Sequence, residues 1–357
     1  MMAEAERGHA MSQEAAGTQM PAVSRIARDI ADGIILLDSR GTIQYVNPSA
    51  GRLLGNDALQ EGIPYARYMA ADNNSANDDF HQYVLDSAYE RSGNHRGVVT
   101  YTRPDGGVRY FSIETSFAGG EDGLQKTGVI LQFSDITDLH LAKVKHDDTI
   151  KVLAGTILIM ALWNFIAAIW ESMGRPISST ALTVIIEAIG VAATLFALRY
   201  TSITVADFGL GTKNLKRAVT VDTALTLAVL VLMIAAKLIL RQFFPTVMDP
   251  KAPFFRWNAL EPLDLLYIPT VVLQELLVRG VMQGSLERIL PDSYPPAVAN
   301  IIASLVFGAV HIHKGIVYMV GAALLLSFFG ILYSKQKTIW GLCIPHLVLS
   351  WSLRILW

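Results

Sequence analysis

Long apolar runs dominate the sequence from about Ile150 onward, and they contain a few ionisable side chains. Glu275 and Arg279 lie four residues apart in one of these runs, the segment QELLVRG at 274–280. An ionisable group in the hydrocarbon of a membrane costs about 2.5–3.5 kcal/mol on insertion scales. On a regular helix, residues four apart share a face and can pair. The runs therefore predict membrane helices that enclose a polar cluster.

The apolar runs predict seven membrane-spanning helices, each reaching the roughly 17–25 residues that a spanning helix needs. The predicted spans are 149–172, 178–200, 219–242, 262–287, 296–313, 316–334 and 338–357. Most loop lysines and arginines fall on one side of this arrangement, which the positive-inside rule identifies as cytoplasmic. These residues are Lys143, Lys145, Lys151, Arg199, Lys213, Lys216, Arg217, Arg288, Lys335 and Lys337. We therefore expect a multi-pass protein of the cell inner (plasma) membrane with a cytoplasmic N-terminal domain.

Residues 1–150 are polar and charged, as in a soluble protein. Residues 1–20 lack a hydrophobic core segment, so they do not read as a signal peptide and are predicted to be a disordered leader. The formal net charge of −2 gives no bulk attraction to nucleic acid. Cys343 is the single cysteine, so an intramolecular disulfide is excluded.

Residues 21–140 carry the signals of two hairpins and a helix start. Alternating or apolar segments at 34–38 and 42–47 flank a Ser-Arg-Gly turn, which predicts the first hairpin. Asn47 followed by Pro48 predicts a helix N-terminus. The second predicted hairpin has strands at 98–102 and 108–113, and a last strand is predicted at 127–133.

These segments resemble a PAS domain over about 25–140. The resemblance rests on GIILLDSRGTIQYVNPSAGRLLG, RPDGGVRYFSI and the terminal DIT. It implies an α/β domain, with an antiparallel sheet and flanking helices, which we place at 21–138. A charged linker helix is predicted at 139–150, as a lever or a dimer-forming segment leading into the membrane.

The ligand of this PAS domain is left open by the sequence. A flavin-photoadduct domain needs a reactive cysteine, and residues 21–140 contain none. His81 falls on the helix where some haem-binding PAS domains carry their axial ligand, so the resemblance makes it a candidate for haem binding. The alternatives are a solvated helix histidine and a PAS domain that serves protein interaction or dimerisation.

Three polar pairs recur in the later apolar runs: Glu275/Arg279, Phe307/His311 and His346/Ser350. A carboxylate and histidines in a dry site could activate a water, with a histidine or hydroxyl stabilising the oxyanion formed on a peptide carbonyl.

The same side chains have other interpretations. Glu275, His311, His313 and His346 are all potential metal ligands, but His311 and His313 lie two residues apart and point apart on a helix, and we predict no metal site. A histidine near a helix end is also typical of the membrane interface. Glu187, a second intramembrane carboxylate, is interpreted as structural.

Residues about 260–353 resemble the CAAX-protease and bacteriocin-processing family (CPBP, or Abi) of intramembrane proteases. The family pattern is Glu-Glu-x-x-x-Arg, then Phe-x-x-x-His, then His-x-x-x-Asn/Asp. The corresponding segments here are Gln274-Glu275-x-x-x-Arg279, Phe307-x-x-x-His311 and His346-x-x-x-Ser350. The resemblance implies an all-α polytopic transmembrane bundle, which we place at 151–357.

The resemblance also implies glutamate-type proteolysis. In the family, the first glutamate and the second-motif histidine activate water, while the third-motif histidine and its Asn/Asp stabilise the oxyanion. Gln274 and Ser350 depart from this pattern, because Gln274 has no carboxyl group and Ser350 has a shorter reach. Either Glu275 takes over as base, or the site has lost proteolysis and binds peptide or lipid, or the cluster only holds the helices together.

The combined prediction is a PAS-regulated intramembrane endopeptidase that cleaves a peptide or membrane-protein substrate. The alternative is a non-catalytic signalling or scaffold protein built on a degenerate protease site. Membrane lipid is an expected partner, and a homodimer through the PAS domain and the linker helix is a further expectation.

Overall fold

The computed structural model describes residues 28–89, 95–119, 126–177, 179–246, 248–249, 251–260 and 262–356. The chain divides into two compact units, Met1–Ala142 and Lys143–Trp357. The predicted leader at 1–20 lies outside the described residues.

The N-terminal unit is built on a five-stranded antiparallel sheet. Its strands, in chain order, are β1 (Gly33–Asp38), β2 (Ile43–Val46), β3 (His95–Thr102), β4 (Val108–Gly119) and β5 (Lys126–Asp135). In the sheet they follow the order β2-β1-β5-β4-β3. The pairings of β1 with β2 and of β3 with β4 are the two predicted hairpins, and β5 is the predicted last strand. All three predictions are confirmed.

Three α-helices that lie wholly within the described residues join this sheet: α1 (Pro48–Leu54), α2 (Tyr65–Asp72) and α3 (Asp78–Tyr89). The helix start predicted at Asn47 is confirmed, because the Asn47 side chain accepts a hydrogen bond of 2.9 Å from the amide of Ala50. Ile35 and Leu37 project from β1 into the same core as Phe80 of α3. The alternation of the strands thus gives the sheet one buried face, and the fold predicted for this unit is confirmed.

The C-terminal unit is helical. Its helices are α4 (Thr137–Ser172, which begins in the N-terminal unit), α5 (Ser179–Tyr200), α6 (Leu215–Phe243), α7 (Tyr267–Glu275), α8 (Gly284–Ile289), α9 (Pro296–Val310), α10 (Ile316–Gln336) and α11 (Cys343–Leu356). A π-helical segment, Leu276–Gln283, connects α7 to α8 without a break. Among the described residues, five helical stretches are long and apolar enough to cross a membrane.

Two of the seven predicted spans are shorter than expected. The prediction of 296–313 is wrong at its end, because α9 stops at Val310 and a single 3₁₀ turn follows. The prediction of 338–357 is wrong at its start, because α11 begins only at Cys343. The residues before it leave helical geometry at Lys337, which adopts a left-handed backbone conformation with φ of +55°.

The linker predicted at 139–150 and the span predicted at 149–172 form one uninterrupted helix, α4. The linker is therefore the first part of a longer helix and not a separate element. The domain boundaries placed at 138 and 150 stay a prediction.

Large apolar side chains cover the outward faces of the long helices. Examples with more than 60% of the side chain exposed are Leu158, Phe165, Phe196, Leu232 and Val317. Exposed apolar surface on this scale is unfavourable in water but suits contact with lipid. The outward composition therefore agrees with helices that lie in a bilayer.

Candidate active site

The π-helical segment places the first polar residues of the site. It follows directly on Glu275, the last residue of α7, and Arg279 and Gly280 lie inside it. Gly280 permits a close approach of the loop between α5 and α6, because a Cβ atom there would lie 2.1 Å from the carbonyl oxygen of Phe208. Single π-helical turns inserted between α-helices are frequent at functional sites.

Glu275 has a histidine as its closest partner. Nδ1 of His346, on α11, lies 2.6 Å from Oε1 of Glu275. Both side chains are buried, the carboxylate completely. Oε2 of Glu275 has no hydrogen-bond partner among the described residues, although Nε of Arg279 approaches to 3.9 Å. A histidine and a carboxylate are thus held in direct contact away from solvent.

This contact couples the tautomer of His346 to the charge on Glu275. A carboxylate that is ionised only accepts hydrogen bonds, and with Glu275 in that form Nδ1 of His346 carries the proton that it donates. Nε2 of the neutral ring then carries a lone pair. His311 is oriented in the same way, because its Nδ1 lies 3.0 Å from the carbonyl oxygen of Phe307, which also can only accept. Both imidazoles therefore present Nε2 as a proton acceptor.

Tyr267 lies beside the free nitrogen of His346. Its hydroxyl is 3.4 Å from His346 Nε2 and donates a hydrogen bond of 3.2 Å to Oγ of Ser350. The Tyr267 and His346 rings meet edge to face, with centroids 6.3 Å apart. Tyr267 at the start of α7 and Ser350 on α11 thus bracket the imidazole.

His311 is packed among aromatic rings where α9 ends. Its ring centroid is 4.6 Å from that of Phe307 and 5.9 Å from that of Tyr318, at the start of α10. Among the described residues, no hydrogen bond or ring contact joins it to His346. The expectation that His311 and His313 point apart is wrong, because they lie in a 3₁₀ turn and their rings are nearly parallel, 6.4 Å apart.

Arg279 serves mainly to join helices. Its guanidinium donates to Gln283 at 2.6 Å, to Asn300 of α9 at 3.2 Å, and to Ser304 at 3.4 Å. It also donates to the carbonyl oxygen of Leu326 on α10. The pair with Glu275 that the sequence predicts is therefore present but loose, since the π-helical segment changes the angular spacing of the two residues.

The remaining predicted residues lie nearby with fewer contacts. Gln274 is partly exposed and makes no side-chain hydrogen bond within the described parts of the chain. Glu187 of α5 interacts with Thr270, one turn before Gln274 on α7, and its Oε1 is buried without a hydrogen bond there. No group of three metal-ligand side chains occurs in the described ranges.

His81 of the N-terminal unit is neither solvated nor available to haem. Its Nδ1 lies 3.0 Å from the Tyr65 hydroxyl, and its Nε2 lies 3.0 Å from Oδ2 of Asp72. The side chain is buried. An axial bond to haem iron would need one of these two nitrogens, so the haem interpretation does not fit the residues. The interpretation as a solvated helix histidine is wrong as well.

The sequence missed four side chains of the site region: Tyr267, Gln283, Asn300 and Ser304. Asn300 and Ser304 lie four residues apart in an apolar helix, and such a buried polar pair is a signal that could have been read. Tyr267 carries no comparable signal, because an aromatic residue at the start of an apolar run is typical of a membrane interface.

The helical unit with its buried polar site and the PAS-like unit define a multi-pass membrane protein with a sensor domain. Comparison with protein families makes this specific. Residues 257–352 match the family described as type II CAAX prenyl endopeptidase Rce1-like, and residues 22–136 match the PAS fold. The chain therefore contains a PAS domain and an Rce1-like, CAAX-protease-type domain, as the two resemblances predict. A protease-type domain implies a peptide or protein substrate.

Solved structures similar to this chain are PAS domains. One is the PAS domain of a Colwellia psychrerythraea protein, with 20% identity over 33% of this chain and 98% of that chain, and a TM-score of 0.27. Another is the PAS domain of Bordetella pertussis BvgS, with 17% identity over 34% and 88%, and a TM-score of 0.29. A third belongs to an HTR-like protein of Haloarcula marismortui, with 19% identity over 35% and 98%, and a TM-score of 0.26. No curated protein gives a match.

Proposed function

We propose that this protein is a PAS-regulated intramembrane endopeptidase that hydrolyses a peptide bond of a peptide or membrane-protein substrate. The contact between Glu275 Oε1 and His346 Nδ1 carries this proposal. A carboxylate that fixes the tautomer of a histidine and leaves its other nitrogen free is the arrangement that makes an imidazole a general base.

In the proposed reaction, His346 Nε2 takes a proton from water, and the resulting hydroxide attacks the carbonyl carbon of the scissile bond. Glu275 stabilises the imidazolium that forms. When the tetrahedral intermediate collapses, the carbon–nitrogen bond breaks and His346 Nε2–H gives its proton to the leaving amine. One water is consumed, and the histidine returns to its starting state.

This role for Glu275 differs from the one expected from sequence. We assign the base to His346 and not to Glu275, because Oε1 of Glu275 contacts His346 and Oε2 lies 3.9 Å from Nε of Arg279. The carboxylate acts through the histidine instead. His311 is assigned to the water, because its own free Nε2 can accept the second hydrogen of that water and orient it. Arg279 has a structural role, because its guanidinium hydrogen-bonds to residues of α9 and α10.

Regulation is proposed to reach the site through α4. Lys145, in the first part of this helix, forms a 2.8 Å ion pair with Asp207 in the loop that follows α5. Burial raises the pKa of Asp207, but hydrogen bonds from Lys145 and Thr204 outweigh this and hold it below its ordinary value. The pair is therefore charged at neutral pH. The next residue, Phe208, packs against Gly280 of the π-helical segment.

The orientation and assembly predicted from sequence belong to this proposal too. The basic residues of the loops support a cytoplasmic PAS domain by the positive-inside rule, and we propose the inner membrane as the location of the helices. In the first part of α4, Leu139 and Leu141 are more than half exposed, on different sides of the helix. These exposed apolar side chains support the proposed dimer through the PAS domain and α4.

A non-catalytic protein is the second candidate, and Gln274 favours it. The residue is an amide where the family pattern has a carboxylate, so a site inherited from a protease could have kept only its ability to bind peptide or lipid. The two candidates differ in their dependence on Glu275. Catalysis needs the charge of the Glu275 side chain, whereas a binding cavity depends mostly on the shape of that side chain.

The test is a comparison of membrane proteomes at matched expression of the wild type, a complete deletion and Glu275→Gln. A protease predicts that the same uncut precursor accumulates in the deletion and in Glu275→Gln cells. Glu171→Gln is the matched control, since it makes the same change in a partly exposed carboxylate of the helical unit, paired with Arg175 and outside the site. A well-inserted Glu275→Gln protein that restores the deletion as fully as the wild type would instead identify a binding protein.

A further inference from the structure

The proposed base leaves one requirement of the reaction unmet. The hydroxide attack places a negative charge on the carbonyl oxygen, and hydrogen-bond donors must stabilise it. His346 with a lone pair on Nε2 cannot donate to that oxygen at the moment of attack. His311 cannot donate through Nε2 either, because its proton is on Nδ1 facing the Phe307 carbonyl.

The Tyr267 hydroxyl is a donor in the right position. Among the described residues it is the hydrogen-bond neighbour of His346 Nε2, at 3.4 Å. That distance is longer than a good hydrogen bond between oxygen and nitrogen, so the two groups stand side by side with little direct bonding. A reacting carbonyl must lie about 3 Å from both the attacking water and the oxyanion donor. A hydroxyl next to Nε2 stands on the side of the ring where the proposed base holds that water.

We propose that Tyr267 is a catalytic residue that donates its hydroxyl hydrogen to the oxyanion, with Ser350 holding it in place. This inference rests on the proposed function. In the free site, the hydroxyl donates to Ser350 Oγ at 3.2 Å. A phenol O–H is both donor and acceptor and has two orientations close to the plane of its ring, so it can turn from Ser350 to a substrate oxygen without moving the ring.

The ring of Tyr267 is fixed by its surroundings, which the proposed role requires. It packs edge to face on His346, and it begins α7, the helix that ends at Glu275. The base, the carboxylate and the donor are thus set by two helices, α7 and α11. Ser350 orients Tyr267 by accepting a hydrogen bond from its hydroxyl. The short side chain of Ser350 is long enough for this contact.

The experiment uses the full chain in liposomes, with fluorescein-labelled casein and any precursor that accumulates in deletion cells as probes. Tyr267→Phe removes the hydroxyl and keeps the ring. We expect kcat to fall by about 10²–10³-fold, the usual effect of losing one oxyanion donor, with KM changed less than threefold. Tyr333→Phe, another buried tyrosine of the same unit, is the matched control and should stay near the wild-type rate.

A second variant separates a donor from a packing role. Ser350→Asn brings an amide donor of longer reach toward the same position, so it should recover part of the rate lost in Tyr267→Phe. If Tyr267→Phe has the wild-type kcat while Glu275→Gln is inactive, the tyrosine inference is overturned and the proposed function stands. If wild type cleaves neither probe and no precursor accumulates, the proposed function fails, and the inference falls with it.

Discussion

Each unit of the protein buries a carboxylate against a histidine, and the two pairs differ in what surrounds them. In the PAS unit, Asp72 accepts from four side chains, and both nitrogens of His81 are bonded. In the helical unit, Glu275 has one hydrogen-bonded partner among the described residues, His346. The second nitrogen of that histidine, Nε2, lies 3.4 Å from the hydroxyl of Tyr267.

The difference separates a structural network from a reactive one. The four side chains around Asp72 all form hydrogen bonds with its carboxylate. One of them is the buried hydroxyl of Tyr101, which donates to Asp72, and burial raises the pKa of Tyr101 to about 12. A saturated buried network rigidifies a domain. Around Glu275, one carboxylate oxygen and one guanidinium nitrogen have no hydrogen bond in the described chain. Unused bonding capacity in a buried site is what a substrate or a water can occupy.

Replacing the two histidines in the same way gives the largest contrast. His346→Gln should lower the cleavage rate by about 10⁶-fold, the size of the loss when the histidine of a catalytic triad is removed. His81→Gln should leave the chemistry intact and weaken the PAS fold by about 1–3 kcal/mol, since buried groups lose partners. Cleavage by the full chain in liposomes and hydrogen exchange of PAS amides measure the two effects. If His346→Gln and His81→Gln lowered the cleavage rate equally, the distinction between a reactive pair and a structural pair would be wrong.

Arg279 offers a test of stability in the same site. Arg279→Ala leaves Glu275 and the amide of Asn300 without the guanidinium, so we expect a loss of about 3–5 kcal/mol in the free energy of unfolding. Thermal unfolding of the full chain in detergent measures it. Arg175→Ala is the control, because Arg175 forms an exposed pair with Glu171, also four residues apart, and such pairs contribute about 0.2–1 kcal/mol. Similar losses in both variants would contradict the structural role assigned to Arg279.

The sequence predicted the two units and most of the site, because each rests on local patterns. The hairpins followed from alternation and turns, and Glu275 and His346 stood out as ionisable side chains in apolar runs. The pairing between them was missed. It depends on the packing of α11 against α7, 71 residues apart in sequence, and on a π-helical segment that loosens the expected pair with Arg279.

Gln274→Glu tests whether a carboxylate at the first glutamate position of the family pattern raises the cleavage rate. A second carboxylate beside Glu275 should raise the cleavage rate about tenfold, equivalent to about 1.4 kcal/mol in the barrier. Gln274→Ala is the control and should stay near wild type, since Gln274 has no hydrogen bond to lose among the described residues. A large loss of rate in Gln274→Ala would show that the glutamine itself takes part in the reaction.

The smallest expected effect concerns regulation. Lys145→Glu should change the cleavage rate two- to fivefold, because a partly exposed ion pair contributes about 0.2–1 kcal/mol. Adding Asp207→Lys restores the opposite charges and should restore the rate. The measurement is the steady-state rate of the single and double variants in liposomes. If the rate changes of the two single variants simply add in the double variant, the ion pair between Lys145 and Asp207 does not transmit regulation to the site.

The central claim is that the Glu275–His346 pair performs the chemistry, and its most direct test is the liposome cleavage rate of Glu275→Gln against Glu171→Gln at equal amounts of folded protein. The account predicts that Glu275→Gln loses about 10⁴-fold, because an amide cannot stabilise the imidazolium or hold the productive tautomer. Glu171→Gln should keep most of the wild-type rate, because its carboxylate only pairs with Arg175 at the surface. A Glu275→Gln rate within tenfold of wild type would contradict the account.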